Sequence, residues 1–184
     1  MGPFTKKDMG CLERSGVWGR CSAEIITGVA RRCRHGAPQV LACAAEKRGR
    51  PFPTAFWLVC PHLVRVSGQL ESQNGVSGLE EALAGKARQW RCYHLFHVIL
   101  RLASVARIRK VFLRCYRPGQ YRSMRRGGVG GIGVSRGPGP WPISAKCVHL
   151  QVASYLGTGA HPAREWLTDM IPVWECSNGL CAAK

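Results

Sequence analysis

The chain has 184 residues, of which 46% are hydrophobic and 20% are charged. This length suits one domain with tails, and the apolar fraction is too high for a wholly disordered chain. Lysine and arginine total 27 against 10 acidic residues, a net charge of +17, which disfavours an enzyme for small neutral ligands and favours a polyanionic partner.

No segment is typical of a membrane span or a secretory signal. The best apolar stretch, residues 94–113, is interrupted by four basic residues, whereas a span needs a run of about 18 apolar residues. The first ten residues contain Lys6, Lys7 and Asp8 and no apolar stretch. The sequence therefore predicts a cytoplasmic protein without a transmembrane segment, in which the ten cysteines are not a secreted disulfide framework.

Two short apolar runs predict a small sheet. Residues 38–43 and 54–59 have the length of strands, and the second run is rich in aromatic residues. The charged residues 46–53 between them contain glycine and prolines and predict a loop. Residues 1–30 have no firm periodicity, so they predict a loosely ordered N-terminal segment.

Helical patterns follow the second strand. The first begins at Pro61, because proline is favoured at the first helical position, and Asn74-Gly75 closes it. Residues 77–80 fit the S-x-x-E capping box of a second helix that runs to about residue 90. A third, longer pattern covers about residues 95–112.

The remaining chain alternates between breakers and short helices. Residues 117–142 are dense in glycine and proline and predict a basic loop. A fourth helix starts at Ser144 and ends at Gly157, and residues 164–171 predict a short additional helix. The fold class is therefore α+β, a short β-hairpin or small sheet followed by three to four helices, with the domain at 31–165 and a C-terminal tail at 166–184.

Four phrases occur in an order that resembles a known family. They are CRHGAP (33–38), PFPT followed by FWLVCP (51–61), GVGGI (128–132) and KCVH (146–149). They are similar to phrases of the bacterial family called domain of unknown function 501, which is frequent in actinobacteria. The resemblance covers about residues 30–165 and implies a fold and candidate residues but no reaction. One departure is Gln151, which stands where the family's K-C-L-H-A-H phrase has its second histidine.

Cys60 is the candidate catalytic residue. It ends the second apolar run and precedes Pro61, which predicts a position at the N-terminus of a helix. The unpaired N–H groups and the helix dipole favour an anion there, so the pKa of the thiol is expected below its usual value. This pattern fits a nucleophile, a redox thiol or a metal ligand, and it also fits a cysteine buried under the sheet.

Cysteines in the recognisable phrases also suggest a zinc ion or an iron–sulfur cluster. The candidate ligands are Cys33, Cys60, Cys147 and His149, with Cys176 or Cys181 as further ligands. Residues two apart on a helix point about 200° apart, so Cys147 and His149 would share an ion only if the helix began between them. The alternative is that most cysteines are small buried apolar residues.

The charge distribution points to nucleic acid. Between residues 82 and 164 there are 15 basic and no acidic residues. Arginines beside Tyr116 and Tyr121 suit phosphate contacts and base stacking. The candidate contacts are Arg101, Arg107, Arg109, Lys110, Arg114, Arg117, Arg122, Arg125 and Arg126. The alternatives are a solvated face, a surface for acidic lipid or protein, and a divergent segment without function.

Two other patterns carry less weight. Residues 128–133 match the glycine spacing of a dinucleotide site, but no strand pattern precedes them and no helix pattern follows, so we reject that interpretation. His94 and His97 fit a core or surface role better than a zinc pair. The leading hypothesis is a nucleic-acid-associated binding protein, and the alternative is a thiol- or metal-dependent enzyme centred on Cys60 with Cys33 and Cys147.

Overall fold

The two apolar runs pair as the sequence predicts, and a third strand joins them. A computed structural model describes residues 1–16, 23–48, 50–109, 118–132 and 143–179, without the side chains of 106–109, 118 and 120. Its strands are β1 (Ile26–Arg32), β2 (Pro38–Cys43), β3 (Glu46–Lys47), β4 (Arg50–Pro51) and β5 (Phe56–Leu58). Strands β1, β2 and β5 form an antiparallel sheet in that order.

The central strand β2 is buried along its whole length, which explains its continuous apolar sequence. The connection to β5 contains a small hairpin of β3 and β4 where the sequence predicts a loop. The hydrogen bond from the N–H of Cys33 to the carbonyl of Ala37 closes the turn between β1 and β2. Gly36 in this turn has φ +79°, a conformation that favours glycine.

Seven helices lie in the described part of the chain. They are α1 (Lys6–Arg14), α2 (Pro61–Ser72), α3 (Gly75–Ala84), α4 (Ala87–Arg109), α5 (Pro118–Arg126), α6 (Val148–Thr158) and α7 (Arg164–Met170). Helix α6 packs on β5, β2 and α2. The main core forms at this contact, with Val40, Phe56, Leu58, Leu63, Val148, Val152 and Leu167 buried in it. The α+β class is confirmed.

The N-terminal region differs from its prediction. Helix α1 begins with a capping box in which Thr5 and Asp8 bond each other's backbone. Arg32 of β1 forms an ion pair with Asp8. Although burial acts to raise it, the bonds from Arg32 and Thr5 hold the pKa of Asp8 below its ordinary value. The T-x-x-D spacing is a local signal for this helix. The sequence nevertheless predicts a loose segment, because no long periodicity accompanies that spacing.

Two other boundaries also differ. Helix α5 occupies residues for which the sequence predicts a loop, so the predicted Gly-rich loop is not confirmed. Gly157 lies inside α6 and does not end the helix. A Cβ at this position would collide with the ring of Phe56. The helix ends instead at Gly159, which has φ +76°. The glycine at 157 therefore serves the close approach of α6 to the sheet.

No helix in the described ranges is both long and apolar enough to cross a membrane.

Candidate functional site

An open pocket of about 430 Å³ lies at the N-terminal end of α2. Three parts of the chain form it: the end of α1, the start of α2 and the C-terminal residues 172–179, which we call the C-terminal strap. We call this cavity the thiol pocket because two cysteines line it. Its lining residues are Arg14, Ser15, Cys60, Pro61, His62, Arg65, Cys176 and Asn178.

Cys60 occupies the N-cap of α2, as the sequence predicts. Its side chain is buried, and burial raises the pKa of the thiol. The N–H groups of Leu63 and His62 act to lower this pKa, but the thiol makes no capping hydrogen bond and burial outweighs them. The expectation of a lowered pKa is therefore wrong, because the position removes the sulfur from water as well as placing it at a helix terminus.

Cys33 and Cys176 lie near Cys60. The negative charge of either Cys176 or Cys33, when ionised, acts to raise the pKa of Cys60 further. Cys33 is held by the turn that follows β1, whereas Cys176 belongs to the C-terminal strap. The structure thus brings together cysteines that are distant in sequence, and all seven cysteines in its described ranges are free thiols.

Hydrogen bonds to the backbone hold the C-terminal strap in place. The carbonyl of Cys176 accepts a bond from Arg34 Nη2 at 3.0 Å, and His35 Nε2 lies 3.0 Å from the same oxygen. Two further bonds join Gln39 Nε2 to the Trp174 carbonyl at 2.9 Å and His62 Nε2 to the Val173 carbonyl at 2.8 Å. These contacts fix Cys176 at the thiol pocket without involving its sulfur.

Cys147 and His149 lie at a different place, so the predicted four-residue ligand set is not assembled. Cys147 is the N-cap of α6, and His149 packs along α2. Nδ1 of His149 is 2.8 Å from Glu71 Oε1, and Nε2 is 2.9 Å from the carbonyl of Val64. In the described ranges no group of three or more His, Cys, Asp or Glu side chains is arranged to hold a metal ion.

Gln151, the departure from the family phrase, is buried in a hydrogen-bonded core. Its Nε2 donates to the carbonyl of Ala145 at 2.7 Å, and its Oε1 is 3.0 Å from His161 Nε2. Cys147 at the start of this helix is half-buried, and the resulting loss of solvation raises the pKa of its thiol. The residues at the start of α6 therefore serve packing and helix capping.

The predicted nucleic-acid contacts separate into three groups. Arg101 is buried and donates from Nη1 to the carbonyl of Gly127 at 2.7 Å, so it does not contribute to an exposed surface. The arginines exposed on α5 are Arg122, Arg125 and Arg126. The side chains of Arg107 and Arg109, and the whole of Lys110, Arg114 and Arg117, lie outside the described structure, as does Cys181.

Three histidines are buried together around the ring of Tyr93. His94 and His97 are each 2% exposed, and the rings of Tyr93 and His161 complete the cluster. Burial lowers the pKa of His94 and His97 to about 4 and that of His161 to about 3. Neighbouring charges add to this effect: His94 and Arg101 for His97, and His97 and His94 for His161. The core interpretation of His94 and His97 is confirmed.

The glycine-rich phrase has a packing function. A Cβ at Gly128 would collide with the ring of His94, and one at Gly130 would collide with Leu150. The N–H of Val129 donates to His94 Nδ1 at 3.1 Å. These close approaches to His94 and Leu150 explain why the phrase needs glycine.

Sequence reasoning missed Arg14, Arg65 and the C-terminal strap as parts of one site. Arg65 lies one helical turn after Pro61, so its position near Cys60 follows from helix geometry once α2 is predicted. Arg14 gave no such signal, because α1 was not predicted. The strap makes its contacts across most of the chain, and no local pattern indicates them.

Comparisons with known proteins give a family and no function. No curated protein matches the chain, and no solved structure matches it. A family described as a protein of unknown function, DUF501, matches residues 29–169. The predicted domain at 31–165 lies inside this range. The chain therefore belongs to the DUF501 family.

Proposed function

We propose that the protein is a thiol-dependent enzyme of the thiol–disulfide exchange class, with Cys60 as the reacting thiol and Cys176 as its partner. The observation that supports this is that Cys60 and Cys176 both line one solvent-open pocket. Cys176 is the preferred partner because it lines the same pocket as Cys60. Free thiols suit a reducing cytoplasm, which is the compartment that the sequence predicts.

Exchange fits this arrangement better than thiol-dependent hydrolysis. Hydrolysis by a cysteine needs a histidine ring bonded to the sulfur as a base, and no hydrogen bond joins a histidine ring to the Cys60 sulfur in the described structure. The nearest histidine in sequence, His62, directs its Nε2 to the carbonyl of Val173. Exchange instead uses a second thiol at the same site, and we assign that role to Cys176 because it lines the thiol pocket together with Cys60.

The proposed reaction has two steps. The Cys60 thiolate attacks one sulfur of a substrate disulfide, which forms a mixed disulfide with Cys60 and releases the other half as a thiolate. The Cys176 thiolate then attacks the Cys60 sulfur, which forms the Cys60–Cys176 disulfide and releases the second half. A thiol reductant returns the pair to the dithiol and completes the cycle.

The substrate class follows from the charge of the pocket. Arg14 and Arg65 line it together with the N-terminal end of α2, and no acidic residue is among its lining residues. Guanidinium groups and a helix N-terminus both favour anions. We therefore expect a small disulfide that carries carboxylate groups, since about 430 Å³ is too little for a protein domain.

The test uses oxidised glutathione, which is a small anionic disulfide, and disulfide mapping by mass spectrometry. The parent protein should form a Cys60–Cys176 disulfide, and Cys176→Ser should retain glutathione on Cys60. Cys60→Ser should form neither product, while Cys147→Ser should behave like the parent. Glutathione on exposed Cys92 without reaction at Cys60, or purified protein whose Cys60 is held by zinc, would contradict the proposal.

A second candidate is the nucleic-acid association that the sequence predicts. The observation in its favour is the exposed face of α5, where Arg125 lies 5.8 Å above the ring of Tyr121 and Arg122 and Arg126 are also exposed. Arg122→Glu/Arg126→Glu should weaken binding of single-stranded RNA. Each lost phosphate contact should reduce the salt dependence by about 0.7 log units per log unit of salt. Absence of RNA binding at low salt would exclude this function.

A further inference from the structure

The outward face of α4 exposes large apolar side chains. Ile99 is 63% exposed, Phe96 44% and Leu95 41%. Cys92 and Ala103 are exposed on the same side, because positions 92, 95, 96, 99 and 103 follow helical spacing. We call this set the α4 outer stripe. Its residues span about 100° of the helix circumference, which is the width of a face that normally packs against another element.

No packing within the described part of the chain accounts for the α4 outer stripe. The opposite side of the helix holds α4 in the protein through buried Trp90, Tyr93, His97, Val98 and Arg101. A surface helix needs only one such side to be anchored. The helix is therefore apolar on two sides, and the second side is available to a partner.

Basic residues border the stripe. Arg88 continues it by one turn towards the N-terminus. Helix α5 packs against the C-terminal half of α4 through Met124 and Val105, and it adds the three exposed arginines already described. No acidic residue occurs between 82 and 164.

We infer that the α4 outer stripe binds an anionic lipid surface, with α4 lying in the plane of the interface. Leucine, phenylalanine and isoleucine enter the boundary between head groups and acyl chains, while bordering arginines contact lipid phosphates. Nucleic acid fits the α4 outer stripe less well, because the aliphatic side chains of the stripe offer neither base stacking nor hydrogen bonds. The inference does not depend on the chemistry of Cys60.

The test is co-sedimentation of the full chain with vesicles at low salt. Vesicles of phosphatidylcholine mixed equally with phosphatidylglycerol should bind the protein, and vesicles of phosphatidylcholine alone should not. Phe96→Ser should weaken binding several-fold, and Phe96→Ser/Ile99→Ser should weaken it by about tenfold or more, given the value of burying such side chains. Added salt should also weaken it.

Met170→Ser is the matched control, because Met170 has 42% exposure, close to that of Phe96, but lies on α7. It should leave vesicle binding unchanged, and circular dichroism should show that all variants are folded. Failure to bind the anionic vesicles, or equal binding by the parent and the double serine variant, would overturn the inference. Binding of the protein to single-stranded RNA, without binding to the anionic vesicles, would also overturn the inference.

Discussion

Glu71 at the end of α2 caps α6 by accepting two hydrogen bonds from His149. Its Oε1 is 3.1 Å from the backbone nitrogen of His149 and 2.8 Å from Nδ1 of the same residue. The N-cap residue, Cys147, makes no side-chain capping bond, so the carboxylate of another helix takes over that role.

We expect Glu71→Ala to lower the free energy of unfolding by about 1–3 kcal/mol, because it leaves partly buried donors without an acceptor. Burial acts to raise the pKa of Glu71, but the bonds from His149 lower it below its ordinary value. This contribution is therefore present above the pKa of the unfolded state and is lost as the pH falls through the folded pKa. Urea unfolding at neutral and acid pH measures both effects. Glu165→Ala should change stability by no more than about 0.5 kcal/mol, because its carboxylate is exposed.

Gly128→Ala should lower the free energy of unfolding by about 1–3 kcal/mol, the usual range for an overpacked core. The new methyl group would meet the ring of His94, which also accepts the N–H of Val129. Gly119→Ala is the matched control, since nothing lies near its Cβ position and it is in α5. It should be neutral or slightly stabilising. Equal midpoints in urea for the two variants would contradict the packing assigned to the glycine phrase.

Alkylation of Cys60 by iodoacetamide should be slow at neutral pH. Burial raises the pKa of this thiol, so the reactive thiolate is a small fraction that grows about tenfold for each pH unit below that pKa. Peptide mapping of the labelled protein distinguishes Cys60 from exposed Cys92, which should react first. A rate at Cys60 that is already at its maximum at pH 7 would mean that the helix terminus dominates over burial.

The protein should lose stability steeply as the pH falls from about 6.5 towards 4. An unfolded histidine titrates near pH 6.5, whereas the buried His94 and His97 do so only at about 4. In this interval the unfolded state binds more protons, so each buried histidine can reduce the free energy of unfolding by at most about 1.4 kcal/mol per pH unit.

His97→Leu tests this dependence, because Nε2 of His97 is buried without a hydrogen-bond partner. The melting temperature of this variant should fall less steeply between pH 7 and pH 4 than that of the parent protein. Removing one of the three buried histidines should remove about one-third of the pH dependence that they cause together. The parent protein should unfold at a higher pH than the variant. Identical pH profiles for the two proteins would show that the buried histidines do not control acid unfolding.

Local signals in the sequence predicted the parts of the fold that local chemistry determines. Pro61 set the start of α2 and thereby the N-cap position of Cys60, and Asn74, with φ +61°, marks the chain reversal before α3. The apolar runs at β2 and β5 predicted their pairing. Strand β1 gave no clear alternation, because arginines and a glycine interrupt its apolar residues.

The rest depends on contacts between distant residues. Helix α5 begins with Pro118 and Gly119, and its packing is provided by Met124 against Val105 and Ala45. Hydrogen bonds between residues distant in sequence hold Cys176 at the thiol pocket. The bond from Arg34 to the carbonyl of Cys176, for example, joins residues 142 positions apart. The sequence also could not show that burial would prevail over the helix terminus at Cys60, because the exposure of a residue depends on the assembled fold.

The thiol pocket extends beyond the part of the chain that defines the family. Cys60, His62 and Arg65 lie within residues 29–169, whereas Arg14 precedes that range and Cys176 follows it. A relative that shared only the matched region would keep the strand-to-helix junction but lack the guanidinium of Arg14 and the sulfur of Cys176. Chemistry established for one member of DUF501 would then pass to another only where the flanking segments correspond as well.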